Sequence, residues 1–256
     1  MTDTPATLLS RLENGLLTLT LNRPDKRNAL DQATIALLHT AIERADLDAD
    51  VRVVAIRGAG KDFCAGLDLR ELLASADKTT DENERAALHF GSLFLAVREL
   101  PKVVVAVTHG RTLAGGLGLA TACDLVLAPE SGSYGYPEIQ RGFVPAMVMT
   151  LLRRLVGEKI AFDLVATGRV VAAAEAYRIG LVSRVMADDG YQDEVVALLG
   201  RLTATSASAL ALTKRQFYQL DGMPFEEGIR LGARVNATAR TTPDFRTAIT
   251  AFLDKK

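Results

Sequence analysis

The sequence is short of the residue types on which several kinds of chemistry depend. Its 256 residues hold only two cysteines and three histidines. Cys64 and Cys123 stand far apart and form no CxxC pair, which excludes a disulfide framework and a zinc ribbon. His39, His89 and His109 show neither HxxxH nor HExxH spacing, so no metal site is expected. The phosphate loop GxxxxGK[ST] is absent, and "GSYG" at 132–135 is not the GxSxG elbow of a serine hydrolase. There is no excess of one charge either. Thirty basic residues meet thirty-one acidic ones, for a formal net charge of -1, so no global field favours nucleic acid or an anionic membrane. Long apolar runs are missing: the stretch 113–127 is broken by Thr121 and Asp124, and no apolar segment follows Met1-Thr2-Asp3. No membrane span or secretory leader is expected, and the cysteine usage fits a reducing, cytoplasmic location.

What is present is the composition of a folded chain. Hydrophobic residues make up 48% and charged residues 24%, enough for one large domain, or one domain with a small appendage. Alternation in "GLLTLTLN" (15–22) predicts a strand, and "RPDKRN" after it a turn. Leu30, Ile35, Leu37, Leu38 and Ile42 recur at helical spacing across 29–46. "VRVVAIRG" (51–58), "KVVVAVTHG" (102–110) and "DLVLA" (124–128) are β-branched or apolar runs with the look of buried strands. Residues 68–100 read as mostly helical, with a mobile-looking polar interruption at "ASADKTTDENE" (74–84). Strand, loop and helix thus recur in α/β fashion. From Tyr191 onward only helical runs remain, which places a boundary near 188–190, with a core over 1–190 and a helical region over 191–256.

"LAGGLGLATACD" (113–124) puts Gly115, Gly116 and Gly118 at the start of a helical run, although each glycine in a helix interior costs about 1 kcal/mol relative to alanine. A dinucleotide fingerprint is a weak reading, because Thr121 stands where GxGxxG wants its last glycine. Two readings stay open: close packing of the helix against a strand, or bare N–H groups at a helix start aimed at a developing oxyanion. The second needs another donor, and "FCAGLDL" (63–69), a glycine loop before a helix capped by Asp68, could supply it.

Six segments in order carry a family resemblance: "LNRPDKRNALD" (21–31), "FCAGLDL" (63–69), "AGGLGLATACDLVLA" (114–128), "YGYPEIQRGFVP" (134–145), "ATGRVVAAAEAYRIGLVSRV" (166–185) and the terminal "AFLDKK". On these the chain resembles the crotonase superfamily, the enoyl-CoA hydratase/isomerase family. The resemblance implies a crotonase (ClpP-like) α/β fold of stacked β-β-α spiral turns with a helical C-terminal trimerisation region. It also implies an acyl-CoA thioester as substrate, with no cofactor, and a homotrimer or a hexamer built as a dimer of trimers. By the same resemblance the thioester oxygen lies between the N–H groups of Leu67 and Gly115, and losing one such donor typically costs ~3 kcal/mol in the transition state. Glu138 matches the second of the two carboxylates that the family's hydratases carry, and the first falls on Gly118.

Adding water to an enoyl thioester asks one group to activate water and another to deliver a proton, whereas moving a double bond from the 3,4 to the 2,3 position asks only for one proton shuttle. A single Glu therefore favours isomerase-like enolate chemistry, with altered hydration or non-catalytic acyl-CoA binding as alternatives. The resemblance further places Lys26, Arg27, Ala29, Ala65, Asp68, Leu69, Gly116 and Pro137 around CoA, and Arg23 in the same basic run. Lys214, Lys255 and Lys256 are either CoA contacts from a neighbouring subunit or solvated surface. Cys64 reads as a small core residue, and Met147 and Met149 as core or acyl-pocket lining.

Overall fold

The computed structural model describes residues 6–254. The elements run β1 (Leu8–Glu13), β2 (Leu16–Leu21), α1 (Gln32–Leu47), β3 (Val53–Gly58), α2 (Leu69–Ala74), α3 (Thr80–Glu99), β4 (Val103–Val107), β5 (Arg111–Leu113), α4 (Gly115–Ala122), β6 (Leu125–Pro129) and β7 (Ser133–Gly135). They continue as α5 (Ala146–Leu155), α6 (Glu158–Thr167), β8 (Val170–Ala172), α7 (Ala173–Arg178), β9 (Arg184–Met186), α8 (Tyr191–Ala204), α9 (Ala207–Gln219), α10 (Phe225–Ala239) and α11 (Pro243–Leu253). The main sheet has the order β1-β2-β3-β4-β6-β9, and a smaller one the order β5-β7-β8.

The three runs read as buried strands become β3, β4 and β6, which pair in parallel with Ala55, Val105 and Leu125 in one row. Being covered on both faces, they carry continuous apolar residues instead of an alternating pattern. After each of these strands the chain steps to the second sheet before entering its helix. Cys64 bridges Thr112, Thr112 pairs with Tyr134, and Tyr134 pairs with Val171. Each turn therefore stacks on the last, so loops from successive turns emerge side by side at one end.

The main core packs α1, α3, α4 and α5 against one face of the large sheet, and α8 covers the other through Tyr191, Val195, Leu198 and Leu199. The Tyr191 hydroxyl donates to the Thr108 and Leu127 carbonyls at 2.8 and 3.0 Å. The region after residue 190 is wholly helical among the described residues, and Gly190 at φ +84° turns the chain into α8.

Several short strands are not visible in the sequence pattern. β5, β7, β8 and β9 have three residues each, too few for any periodicity. β1 is mostly exposed and pairs antiparallel with β2. The polar interruption at 74–84 is ordered, not a loose loop. It forms a 3-10 turn over Ser75–Asp77, and Thr79 and Glu82 then close a capping box at the start of α3, which satisfies otherwise unpaired N–H groups.

Candidate functional site

The Leu67 and Gly115 loops come together because two glycines permit it. Gly66 has φ +110°, and a Cβ there would lie 2.8 Å from Ala114 Cβ and 3.4 Å from Gly115 N. Gly116 presses α4 onto the Cys64 loop, where a Cβ would meet the Cys64 carbonyl oxygen at 2.5 Å and its sulfur at 2.6 Å. A Cβ on Gly115 would sit 3.5 Å from Leu67 Cγ and 3.1 Å from Phe90 Cζ. Close packing and bare N–H presentation are thus divided between adjacent residues, Gly116 serving the first and Gly115 free for the second.

Backbone conformation aims these donors. The bridge from Leu30 to Leu67 is held by Leu30 N–H to Gly66 O and Asp68 N–H to Leu30 O, both 2.8 Å. Ala114 caps α4 at φ +52°, ψ −130°, a region alanine rarely occupies, and its N–H donates to Gly135 O at 2.8 Å. Such strain costs on the order of 1–3 kcal/mol and persists only where the surroundings enforce it. Among the described residues neither the Leu67 nor the Gly115 N–H donates to a protein acceptor. Gly115 also opens α4, where the helix leaves its first N–H groups unpaired and positively polarised.

Glu138 stands three residues beyond Gly135, which pairs with Leu113. It opens a short 3-10 turn behind Pro137, and Gly142 (φ +68°) ends that turn. Glu138 is only 8% exposed and is the one buried carboxylate among the described residues. Its Oε2 has no hydrogen-bond partner. Burial pushes its pKa up to about 7, against its own backbone N–H and the charge of Arg141. A buried acid poised near neutrality, with one oxygen unpartnered, is the usual condition of an acid–base group. If Glu138 is the base, kcat/KM should rise with pH and level off with a midpoint near 7, since only the carboxylate accepts a proton; a profile flat from pH 5 to 9 would exclude it.

Tyr136, not singled out from the sequence, lies fully buried two residues before Glu138, and its hydroxyl has no hydrogen-bond partner. Burial, and then the charge of Glu138, push its phenol upward. Thr121 eases this only partly, as its hydroxyl already donates to the Leu117 and Gly118 carbonyls at 2.9 and 3.1 Å. Phe90 and Phe94, an edge-to-face pair with centroids 4.8 Å apart, flank α4 and do not stand out in the sequence either. Their i, i+4 spacing is the one local signal that they share a face.

The residues placed around CoA divide by geometry. Arg23 is consumed inside its own chain, pairing with Asp31 at 3.1 Å and Asp68 at 2.9 Å and donating to Ala29 O at 2.6 Å. Burial works to raise the Asp68 pKa, but Arg23 and the Arg70 N–H outweigh it and hold the carboxyl below its ordinary value. Asp68 thereby caps α2 and ties down the loop next to Leu67. The Ala65 N–H donates to Arg27 O at 3.0 Å, while Ala29, Ala65 and Pro137 are half-buried and Lys26, Arg27 and Leu69 exposed.

Lys214 corrects the sequence reading. It is buried, its Nζ 2.8 Å from Asp124 Oδ2 and 2.9 Å from both the Val97 and Lys102 carbonyls, so it is neither solvated nor free for CoA. Lys255 and Lys256 lie outside the described residues. Cys64 is a core residue whose thiol burial pushes up to about 12, which keeps it an unreactive thiol. Met147 and Met149 are half-buried and pack on the main core. A cleft of about 300 Å³ lined by Met149, Leu152, Arg153, Glu158, Phe162 and Val165 includes none of the Leu67, Gly115 or Glu138 residues.

A spiral α/β core that presents two glycine-loop donors and one buried acid defines the class. A family model described as enoyl-CoA hydratase/isomerase matches residues 11–256. A putative enoyl-CoA hydratase of Thermus thermophilus is 41% identical over 236 residues, covering 92% of this chain and 93% of that one. The 2,3-dehydroadipyl-CoA hydratase of Escherichia coli is 32% identical over 97% of this chain and 96% of its own. The crystal structure of an enoyl-CoA hydratase from Mycobacterium smegmatis superposes with a TM-score of 0.94 at 33% identity, covering 98% and 97% of the two chains. The chain belongs to the enoyl-CoA hydratase/isomerase family, the crotonase superfamily, and has its fold.

Proposed function

We propose that this acyl-CoA enzyme stabilises a thioester enolate between the Leu67 and Gly115 N–H groups and moves a proton with Glu138 alone. The observation that carries the reading is the one buried carboxylate among the described residues: Glu138 has an unpartnered Oε2 and a pKa pushed up to about 7, and position 118 is glycine. On a 3-enoyl thioester, the Glu138 carboxylate would take a proton from C2 and electron density would move onto the thioester oxygen. The same carboxyl would then return the proton to C4, leaving the double bond between C2 and C3. An acid with a pKa near the working pH serves both halves of that shuttle. The relatives' names point to hydratases, so the test compares both activities on one preparation. The expected result is efficient shift of a 3-enoyl-CoA and poor hydration of crotonyl-CoA, read by absorbance and by mass for added water. Normal hydratase turnover would overturn the isomerase preference.

CoA itself would be met by the exposed Lys26 and Arg27, with backbone groups of Ala29, Ala65 and Leu69 along pantetheine. α10 and α11 bury no residue of their own, yet expose Phe225 at 86%, Ile229 at 60% and Phe252 at 64%. Apolar area of that kind is normally covered in an assembly. Light scattering should therefore give three or six times the 27.5 kDa chain mass, and a monomer at micromolar concentration would contradict it.

A further inference from the structure

The volume beside Gly118 is filled. A Cβ on Gly118 would fall 2.4 Å from Val148 Cγ1 and 2.9 Å from Phe94 Cζ, and both side chains are almost wholly buried. Phe90 continues this surface along α4, covering Gly115 as Phe94 covers Gly118. The backbone groups of Gly118 are taken as well: its N–H donates to Ala114 O at 3.0 Å and its carbonyl accepts from the Thr121 hydroxyl at 3.1 Å. A water held at a protein site needs two to four polar partners and room of its own. At Gly118 itself the nearest atoms beyond the helix are the Val148 methyl and the Phe94 ring, and the Thr121 hydroxyl is already engaged with the Leu117 and Gly118 carbonyls.

We propose that Val148 and Phe94 form a specificity-determining wall that keeps water from being held at the Gly118 turn, so that the dienolate is reprotonated at C4 and the 2-enoyl thioester is not attacked by water at C3. The inference rests on the single-shuttle reading above and explains it. One group is absent at position 118, and its place is also closed to a water that another group could activate. In the favoured reaction the C2–H bond breaks, the C4–H bond forms and the composition of the acyl chain is unchanged. Hydration would add an oxygen to C3 from a water that has no seat.

Val148→Thr exchanges one methyl for a hydroxyl at constant volume, and Val148→Ser opens more space with the same donor. Both are made in the full chain and assayed with a 3-enoyl-CoA and a 2-enoyl-CoA in 18O-water. Mass spectrometry gives the ratio of 18O-labelled 3-hydroxyacyl product to double-bond-shifted product, and thermal melting confirms the fold. The ratio should rise at least tenfold in one of the two variants. An unchanged ratio in both folded variants, with the parent still isomerising, overturns the wall and leaves the single-shuttle reading intact. A parent chain that hydrates at normal turnover overturns that reading itself, whatever the variants do. The packing has its own check: Gly118→Ala should lower the melting temperature, and Gly118→Ala with Val148→Ala should regain most of it.

Discussion

Glu138→Gln is expected to lower kcat/KM roughly 10³-fold, within the range of 10²–10⁴ typical for loss of a positioned acid–base group. Gln keeps the size and hydrogen-bonding capacity of the side chain and removes only the titratable carboxyl, so acyl-CoA binding measured by calorimetry should change little. Full activity in the variant would show that the proton moves through another group. The same substitution should alter stability in the opposite sense. Folding raises the Glu138 pKa from 4.5 to about 7, so the folded chain holds this proton more tightly than the unfolded chain. The stabilising contribution of the protonated form is fully present below pH 4.5 and is lost as pH rises through 7. Gln has no such dependence. Glu138→Gln should therefore melt above the parent at pH 8, by up to about 3 kcal/mol, and the gap should close toward pH 4.5. A gap independent of pH would mean that the strain at this site is not electrostatic.

Lys214→Met should destabilise the chain by about 3–5 kcal/mol, because it leaves a largely buried carboxylate without its partner. Asp124 accepts from Val104 N–H at 2.7 Å and from the Tyr218 hydroxyl at 2.7 Å, and among the described residues Lys214 supplies the only full positive charge in contact with it. Arg98 stacks on the Tyr218 ring at 3.9 Å from its centroid. Burial pushes the Lys214 pKa down while Asp124 pulls it back up. The expected drop in melting temperature is roughly 10 °C for a chain of this size. Asp124→Asn combined with Lys214→Met should cost clearly less than the two single changes added together, as residues in one network couple. Additive costs would show that the two side chains act independently. This cluster fastens α9 beneath α4 and β6, and α4 carries Gly115 at its other end, so loss of the pair should reach the site through position and not through chemistry.

Glu138, Leu67 and Gly115 stand out in one dimension as motif positions of the family resemblance, in register with one another, while the residues alone show only that a glycine loop ahead of a helix can present bare N–H groups. The buried strands β3, β4 and β6 are legible for a related reason: burial on both faces writes a continuous apolar run. Lys214 is not. A lysine between Thr213 and Arg215 reads as surface in any one-dimensional view, and its partner Asp124 lies ninety residues away. The polar run at 74–84 misleads in the other direction, since the residues that make a helix cap are the residues that fill a loop.

By itself, then, the sequence determined the family, the parallel α/β core, a glutamate at position 138 and the absence of a carboxylate at position 118, because each is a matter of residue identity at a motif position or of short-range periodicity. Tertiary structure alone decided that the place of that missing carboxylate is closed by Val148 and Phe94, that Arg23 is spent on Asp31 and Asp68, and that Lys214 is core. Those facts depend on side chains brought together from distant turns of the spiral, and desolvation, which raises Glu138 to neutrality, exists only once the chain has closed around it.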